Sequence, residues 1–209
     1  LELPTDDPKA SLMAGIYNRI IKDFIKKPLS FTLTCALEVP FGSGLGTSST
    51  LAIAILGAYS EWLSLPLGEY DLAYLAYLIE RVDLKQAGGK QDQYAAAFGG
   101  FNFMEFYKDD KVIVNPLRVR NEIINELSNN LLLYYTNSSR NSGDIIVQQQ
   151  KNVKSQKEDS IEAMHKIKQQ AYDIKEAILT NNLDKIGHIL HEGWSHKRRM
   201  AEGISTPLF

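Results

Sequence analysis

Hydrophobic positions along the chain change period several times, and each change marks an element. Asp7-Pro8 pairs an N-cap residue with a proline suited to the first helical position. Leu12, Met13, Ile16, Tyr17, Ile20, Ile21 and Phe24 then recur every three or four residues. This spacing predicts an amphipathic helix over about residues 8–26. Phe31, Leu33, Cys35, Leu37 and Val39 alternate with polar or small residues, which predicts a strand over Ser30–Val39. Residues 48–63 are apolar on nearly all sides, as in a buried helix. Leu72, Leu75, Ala76, Leu78 and Ile79 mark a third helix ending near Val82. Gln93–Phe98 forms a short helix stopped by Gly99-Gly100. Phe101–Tyr107 and Val112–Pro116, joined by Lys108-Asp109-Asp110-Lys111, predict a hairpin.

Beyond the hairpin the pattern turns polar. Leu131–Thr136 predicts a short strand. Residues from Asn141 to about Leu179 predict a long helical stretch whose charges form a solvated face. Leu183–His191 predicts a further helix, followed by a polar segment to Gly203. The class is α+β, with a first lobe over residues 1–127 and a second over 128–209.

Composition narrows the function classes. With 209 residues, 44% apolar and 23% charged, the chain can build an ordinary globular core. A net charge of -2 supplies neither a basic footprint for nucleic acid nor a polybasic membrane signal. Four histidines and the single Cys35 offer no Cys/His metal cluster and no disulfide framework, which fits a reducing compartment. No apolar run is long enough to cross a bilayer, and no signal-like start is visible, so the cytoplasm is expected. Oligomeric state is left open. The chain opens on Leu-Glu-Leu-Pro and stops at Pro207-Leu208-Phe209, so sequence is expected to continue at both ends.

The segment Pro40-Phe41-Gly42-Ser43-Gly44-Leu45-Gly46-Thr47-Ser48-Ser49 lies between the strand and the buried helix. Its glycines allow a tight turn and a close approach to a ligand. The helix that follows presents free N–H groups and a positive dipole end. Together these suit an anion such as a nucleotide phosphate. A bare glycine cluster is more often only a tight turn, and the spacing is neither that of a Walker A loop nor that of a dinucleotide fingerprint. Two acidic residues stand nearby in sequence. Glu80 ends the third helix beside Arg81. Asp92 follows Gly88-Gly89-Lys90-Gln91. Taken alone, Glu80 reads as an exposed helix residue and Asp92 as an N-cap.

Pro40-x-x-x-Gly44-Leu45-Gly46-Thr47-Ser48 resembles the second motif of the GHMP kinases, Pro-x-x-x-Gly-Leu-Gly-Ser-Ser-Ala. That family comprises galactokinase, homoserine kinase, mevalonate kinase and phosphomevalonate kinase. Thr47 and Ser49 depart from the motif, each retaining or adding a hydroxyl. Gly89-x-x-Asp92-Gln93 resembles the family segment that carries a catalytic aspartate. The resemblance implies ATP and Mg²⁺ as cofactors. It places the ATP phosphates against Gly42, Ser43, Gly44, Leu45, Gly46, Thr47, Ser48 and Ser49. Ser48 and Glu80 would be Mg²⁺ ligands, and Asp92 the base or orienting carboxylate. The implied fold has a ribosomal S5 domain 2-like N-terminal lobe and a ferredoxin-like C-terminal lobe. The family's first and third motifs are not found, so both lobes are expected to be incomplete here.

The run from Glu80 to Asn102, with Tyr134–Arg140, Gly193–Met200 and Gly203–Pro207, is similar to the bacterial D-glycero-D-manno-heptose 7-phosphate kinases within that family. It implies transfer of the ATP γ-phosphate to the anomeric hydroxyl of a heptose 7-phosphate, on the route to GDP-heptose. A sugar phosphate needs a cationic grip. Arg140, Lys90 with Gly89, and also Lys197 and Arg198, are the candidates. The rival readings are a kinase for fucose, a uronic acid or another sugar phosphate, a non-catalytic nucleotide or sugar sensor, and a fragment that binds no ligand.

Overall fold

A computed structural model describes residues 2–7, 10–39, 43–134 and 142–205. The chain forms two compact units that part at Gly100–Phe101. This is earlier in the chain than residue 127, so the hairpin packs with the second unit. The class is α+β: helices accompany a small antiparallel sheet.

In the first unit, α1 (Ser11–Ile20), α2 (Thr47–Leu63) and α3 (Glu69–Tyr77) enclose one core. Ile16 and Ile20 of α1 meet Ala52, Ile55, Leu56 and Tyr59 of α2, and Leu75, Ala76 and Ile79 from α3 and its extension. Each fully buried isoleucine or leucine in that set contributes roughly 1.5–3 kcal/mol relative to exposure. Two of these helices end in π turns. α1 continues as a π turn over Ile21–Ile25, closed by the Lys26 N–H on the Ile21 carbonyl at 2.8 Å. α3 continues as one over Leu78–Asp83, with the Leu84 N–H on the Ile79 carbonyl at 2.9 Å. A π turn adds a residue to the turn and rephases the side chains, and here Ile79 and Glu80 are both buried. Arg19 closes on the end of this turn, donating to Asp83 through Nε at 2.9 Å and Nη2 at 2.6 Å. Burial works against the Arg19 charge, but hydrogen bonding and the Asp83 carboxylate outweigh it and raise its pKa. The short helix α4 (Gln91–Phe98) completes the unit and ends at Gly99, φ 60°.

The second unit opens on the hairpin β1 (Asn102–Phe106) and β2 (Val112–Pro116), in register from Asn102 opposite Pro116 to Phe106 opposite Val112. Asp109 and Asp110 both take positive φ, 60° and 59°, the handedness that matches strand twist in a two-residue turn. Helices α5 (Asn121–Asn130), α6 (Ser142–Lys154), α7 (Glu158–Leu179) and α8 (Asp184–Met200) follow. α7 and α8 form an antiparallel pair. Leu127, Ala177, Ile178 and Ile186 pack together at one place, and Ala163, Met200, Ala201 and Ile204 at another.

Three sequence expectations change. Ser30–Val39 joins no ladder among the described residues and bends at Glu38–Val39, and Phe31, Leu33 and Val39 stay exposed. Alternation is necessary for a half-buried strand, whereas a ladder also needs a neighbour. Leu131–Tyr134 of the second expected strand is likewise exposed and unladdered, and its last two residues lie outside the described set. The polar stretch from residue 141 is two helices, broken at Ser155–Lys157 where Gln156 turns left-handed at φ 52°. No helix among the described residues is long and apolar enough to cross a membrane.

Candidate functional site

The glycine turn leads into α2. Gly44 and Gly46 take φ 79° and 70°, a region that side chains rarely adopt. Gly46 is the residue before the helix, and its carbonyl accepts from the Thr50 N–H at 3.0 Å and the Thr50 hydroxyl at 3.1 Å. The N–H groups of the first helical turn have no intrahelical acceptor. Leu45 and Gly44 are exposed, Ser43 and Ser48 half-buried, and Thr47 and Ser49 buried. Ser43 Oγ and Thr47 Oγ1 lie 3.4 Å apart. Gly42 lies outside the described residues.

Glu80 is fully buried beneath this turn, which corrects the bland view of it as an exposed helix residue. A buried carboxylate needs partners, since desolvation alone costs several kcal/mol, on the order of the penalty for an isolated ion. It has three uncharged donors. Ser48 Oγ donates to Oε1 at 2.9 Å, Ser49 Oγ to Oε2 at 2.8 Å, and Gln93 Nε2 to Oε2 at 2.5 Å. Arg81 Nη2 lies 4.0 Å from Oε2.

Asp92 stands on the first turn of α4, half-buried. A Cβ at Gly46 would lie 3.4 Å from Asp92 Cγ, so the aspartate packs against the glycine turn itself. Gln91 Nε2 lies 3.5 Å from Asp92 Oδ1. The preceding loop is clipped by Arg81, whose Nε donates to the Gly89 carbonyl at 3.1 Å. Gly88 makes room for that guanidinium, because a Cβ there would come within 2.4 Å of Arg81 Cζ. Lys90 Nζ lies 4.6 Å from the centre of the Tyr77 ring, within cation–π range.

The first unit therefore brings together Ser43 to Ser49, Glu80, Gly89, Lys90 and Asp92. Arg140 lies outside the described residues. Lys197 and Arg198 belong to α8 in the second unit, where burial lowers the pKa of Lys197. Ser48 and Glu80 offer hard oxygen donors, the chemistry Mg²⁺ selects, and Mg²⁺ characteristically takes only one or two protein carboxylates with phosphate and water. The donor set thus fits the ion. Sequence reasoning missed Gln93 and the Arg81–Gly88 clip. An eight-residue helix gives too few turns for periodicity to mark Gln93 as inward-facing. The adjacent glycines at 88 and 89 were the one local signal for a close approach there.

Residues 11–100 match the GHMP kinases N terminal domain. The chain is 52% identical over 201 residues to the D-glycero-alpha-D-manno-heptose 7-phosphate kinase of Campylobacter jejuni, covering 96% of this chain and 59% of that protein. It superimposes on the crystal structure of a D-glycero-D-manno-heptose 1-phosphate kinase from Bacteroides thetaiotaomicron with TM-score 0.80 and 48% identity, over 98% of this chain and 59% of that one. A more distant relative, the L-fucokinase/L-fucose-1-P guanylyltransferase of Bacteroides fragilis, is 24% identical over 90% of this chain and 20% of its own length. The chain thus spans about three-fifths of the two heptose kinases it matches. The domain match ends where the first compact unit ends, so that unit is a GHMP kinase N-terminal domain, in a chain that shares the fold of these kinases.

Proposed function

We propose that the protein containing this chain is an ATP-dependent kinase that phosphorylates the anomeric hydroxyl of D-glycero-D-manno-heptose 7-phosphate. The observation that carries this reading is the convergence of Ser48, Glu80 and Asp92 on the glycine turn, in a chain 52% identical to a heptose 7-phosphate kinase. The names of the two heptose kinases agree on the sugar and differ on the phosphate position. They share a phosphoheptose substrate class.

In this mechanism the turn from Ser43 to Gly46 and the N–H groups at the start of α2 hold the nucleotide phosphates. Ser48 Oγ and Glu80 Oε1 would hold Mg²⁺, which when bound offsets charge on the transferring phosphoryl group. Asp92 accepts or orients the proton of the attacking sugar hydroxyl. The hydroxyl oxygen bonds to the γ-phosphorus as the bond to the ADP oxygen breaks, and ADP leaves. Gly89 and Lys90 line the sugar side, and Arg140 grips the remote phosphate. Most of the rate enhancement then comes from positioning and charge stabilisation.

The test is ADP release by the full-length protein with Mg-ATP and a panel of heptose 7-phosphate, mannose 6-phosphate, fucose, galactose and mevalonate, with the product position read by ³¹P NMR. Release with the heptose phosphate and a new anomeric phosphate is expected. Release with fucose alone would replace the substrate, and nucleotide binding without release would favour a sensor. Asp92→Asn should keep nucleotide affinity while lowering kcat by about 10²–10⁴-fold. Nearly intact turnover would remove Asp92 from the base role.

A further inference from the structure

The proposed mechanism leaves Gln93 without a task, yet its placement is costly. It is fully buried. Its Oε1 has no hydrogen-bond partner among the described residues, and an unsatisfied buried acceptor normally destabilises a fold. The orientation of the amide is nonetheless set, because reversing it would point Oε1 at the Glu80 carboxylate instead of the N–H donor.

The hydrogen bonds of Glu80 divide unequally between its two oxygens. Oε2 accepts from both Ser49 Oγ and Gln93 Nε2, whereas among the described residues Oε1 accepts only from Ser48 Oγ. A carboxylate oxygen has two acceptor positions. Oε2 is therefore filled, and Oε1 keeps one acceptor position open beside the one that Ser48 occupies. Gln93 also directly follows Asp92 in α4. The bond that fills Oε2 therefore ties the helix carrying Asp92 to the carboxylate under the glycine turn.

We propose that Gln93 is a positioning residue: its amide saturates Glu80 Oε2, so that Oε1 alone is offered to a cation, and it anchors the first turn of α4 so that Asp92 is held against Gly46. This rests on the kinase reading above for the identity of the ligand. It assigns to Gln93 no contact with substrate or nucleotide.

Two variants of the full-length protein separate this role from packing. Gln93→Leu keeps the volume and removes the donor. Its affinity for Mn²⁺ in the presence of β,γ-imido-ATP, measured by electron paramagnetic resonance, should fall by about 10–100-fold, the usual consequence of losing a hydrogen bond to a metal ligand. Its kcat should fall with it, and the KM for sugar should change less. Gln93→Met keeps the length of the side chain as well as its volume and also lacks the donor. It should show the same fall in Mn²⁺ affinity, with metal-free nucleotide binding near wild type.

Wild-type Mn²⁺ affinity and kcat in folded Gln93→Leu would overturn the proposal. So would wild-type Mn²⁺ affinity in Gln93→Met, which keeps the idea testable if the leucine variant does not fold. Failure of the wild type itself to bind nucleotide would instead sink the kinase reading, and this assignment with it.

Discussion

Gly88→Ala is a one-methyl change whose effect depends on a single neighbour. The added Cβ would meet Arg81 Cζ at 2.4 Å and Nε and Nη2 at 2.6 Å. The atoms it meets are the far end of a flexible side chain, so the strain is relieved when the guanidinium swings away. That movement forfeits the Arg81 hydrogen bond to the Gly89 carbonyl. A bond from a charged donor is worth about 1.5–3 kcal/mol, and solvent access in this loop lowers the figure to about 1–2 kcal/mol. Against it stands a gain. Gly88 is not among the positive-φ residues, so alanine fits the backbone and stabilises by about 0.4–1 kcal/mol through the unfolded chain. Gly88→Ala should therefore cost about 1 kcal/mol net in the wild type. In an Arg81→Ala background the clash and the bond are both absent, and the same substitution should stabilise. The assay is a double-mutant cycle by urea denaturation. Trp62 and Trp194 lie in different units, so a Trp194→Phe background makes Trp62 fluorescence report the first unit alone. A coupling of about 1–2 kcal/mol is expected. If Gly88→Ala costs the same with and without Arg81, the clip does not exist as described.

Two further expectations concern groups away from the site. The buried Tyr59 hydroxyl lacks a partner among the described residues, so Tyr59→Phe should stabilise by about 1 kcal/mol in thermal unfolding; a destabilisation of that size would mean the hydroxyl is satisfied. Burial first, and Tyr17 second, push the Tyr59 pKa up to about 12. Its neutral form is favoured in the folded state, so this group leaves stability unchanged below pH 10 and lowers it between 10 and 12, and that alkaline fall should be absent in Tyr59→Phe. Arg199 holds the Glu162 carboxyl below the usual glutamate range, chiefly by a 2.8 Å hydrogen bond and then by its charge. The linked stabilisation is present above the ordinary glutamate value and lost as pH falls through the depressed one. A carbon-13 titration should show the Glu162 midpoint return to normal in Arg199→Ala, and an unmoved midpoint would refute the pairing in solution.

Periodicity identified elements whose apolar face has several turns or a clear stop. Ile16 and Ile20, Ala52 and Leu56, and Leu75 and Ile79 are core contacts at helical spacing, and the hairpin follows its own alternation. It failed where burial is sparse. α5 buries only Ile123 and Leu127 within an asparagine-rich decapeptide, too few apolar positions to predict the helix. α8 was expected to end at His191 yet runs to Met200; only Ile186 and Met200 are buried along it, and its last turns are dominated by polar and basic residues. The Ser155–Lys157 break has no glycine or proline to announce it. Ser30–Val39 shows the opposite limit. Its alternation is plain, but pairing is not a local property of the segment.

The site divides along the same line. The glycine turn was legible because positive φ and close approach demand glycine locally. The burial of Glu80 was not, since it depends on a π turn and on hydroxyls some thirty residues away. The kind of partner Glu80 has is the more informative fact. A carboxylate kept only for stability is often replaceable by an apolar residue of similar volume without loss, and one neutralised by a close arginine would have little charge left to offer. Glu80 has neither arrangement. Two hydroxyls and an amide satisfy its hydrogen bonding without cancelling its charge, and Arg81 stands at 4.0 Å with its Nε turned to Gly89. Donors that orient a carboxylate while leaving its charge intact suit a group whose counter-charge arrives with a ligand. The proposed arrival of Mg²⁺ with ATP supplies that counter-charge.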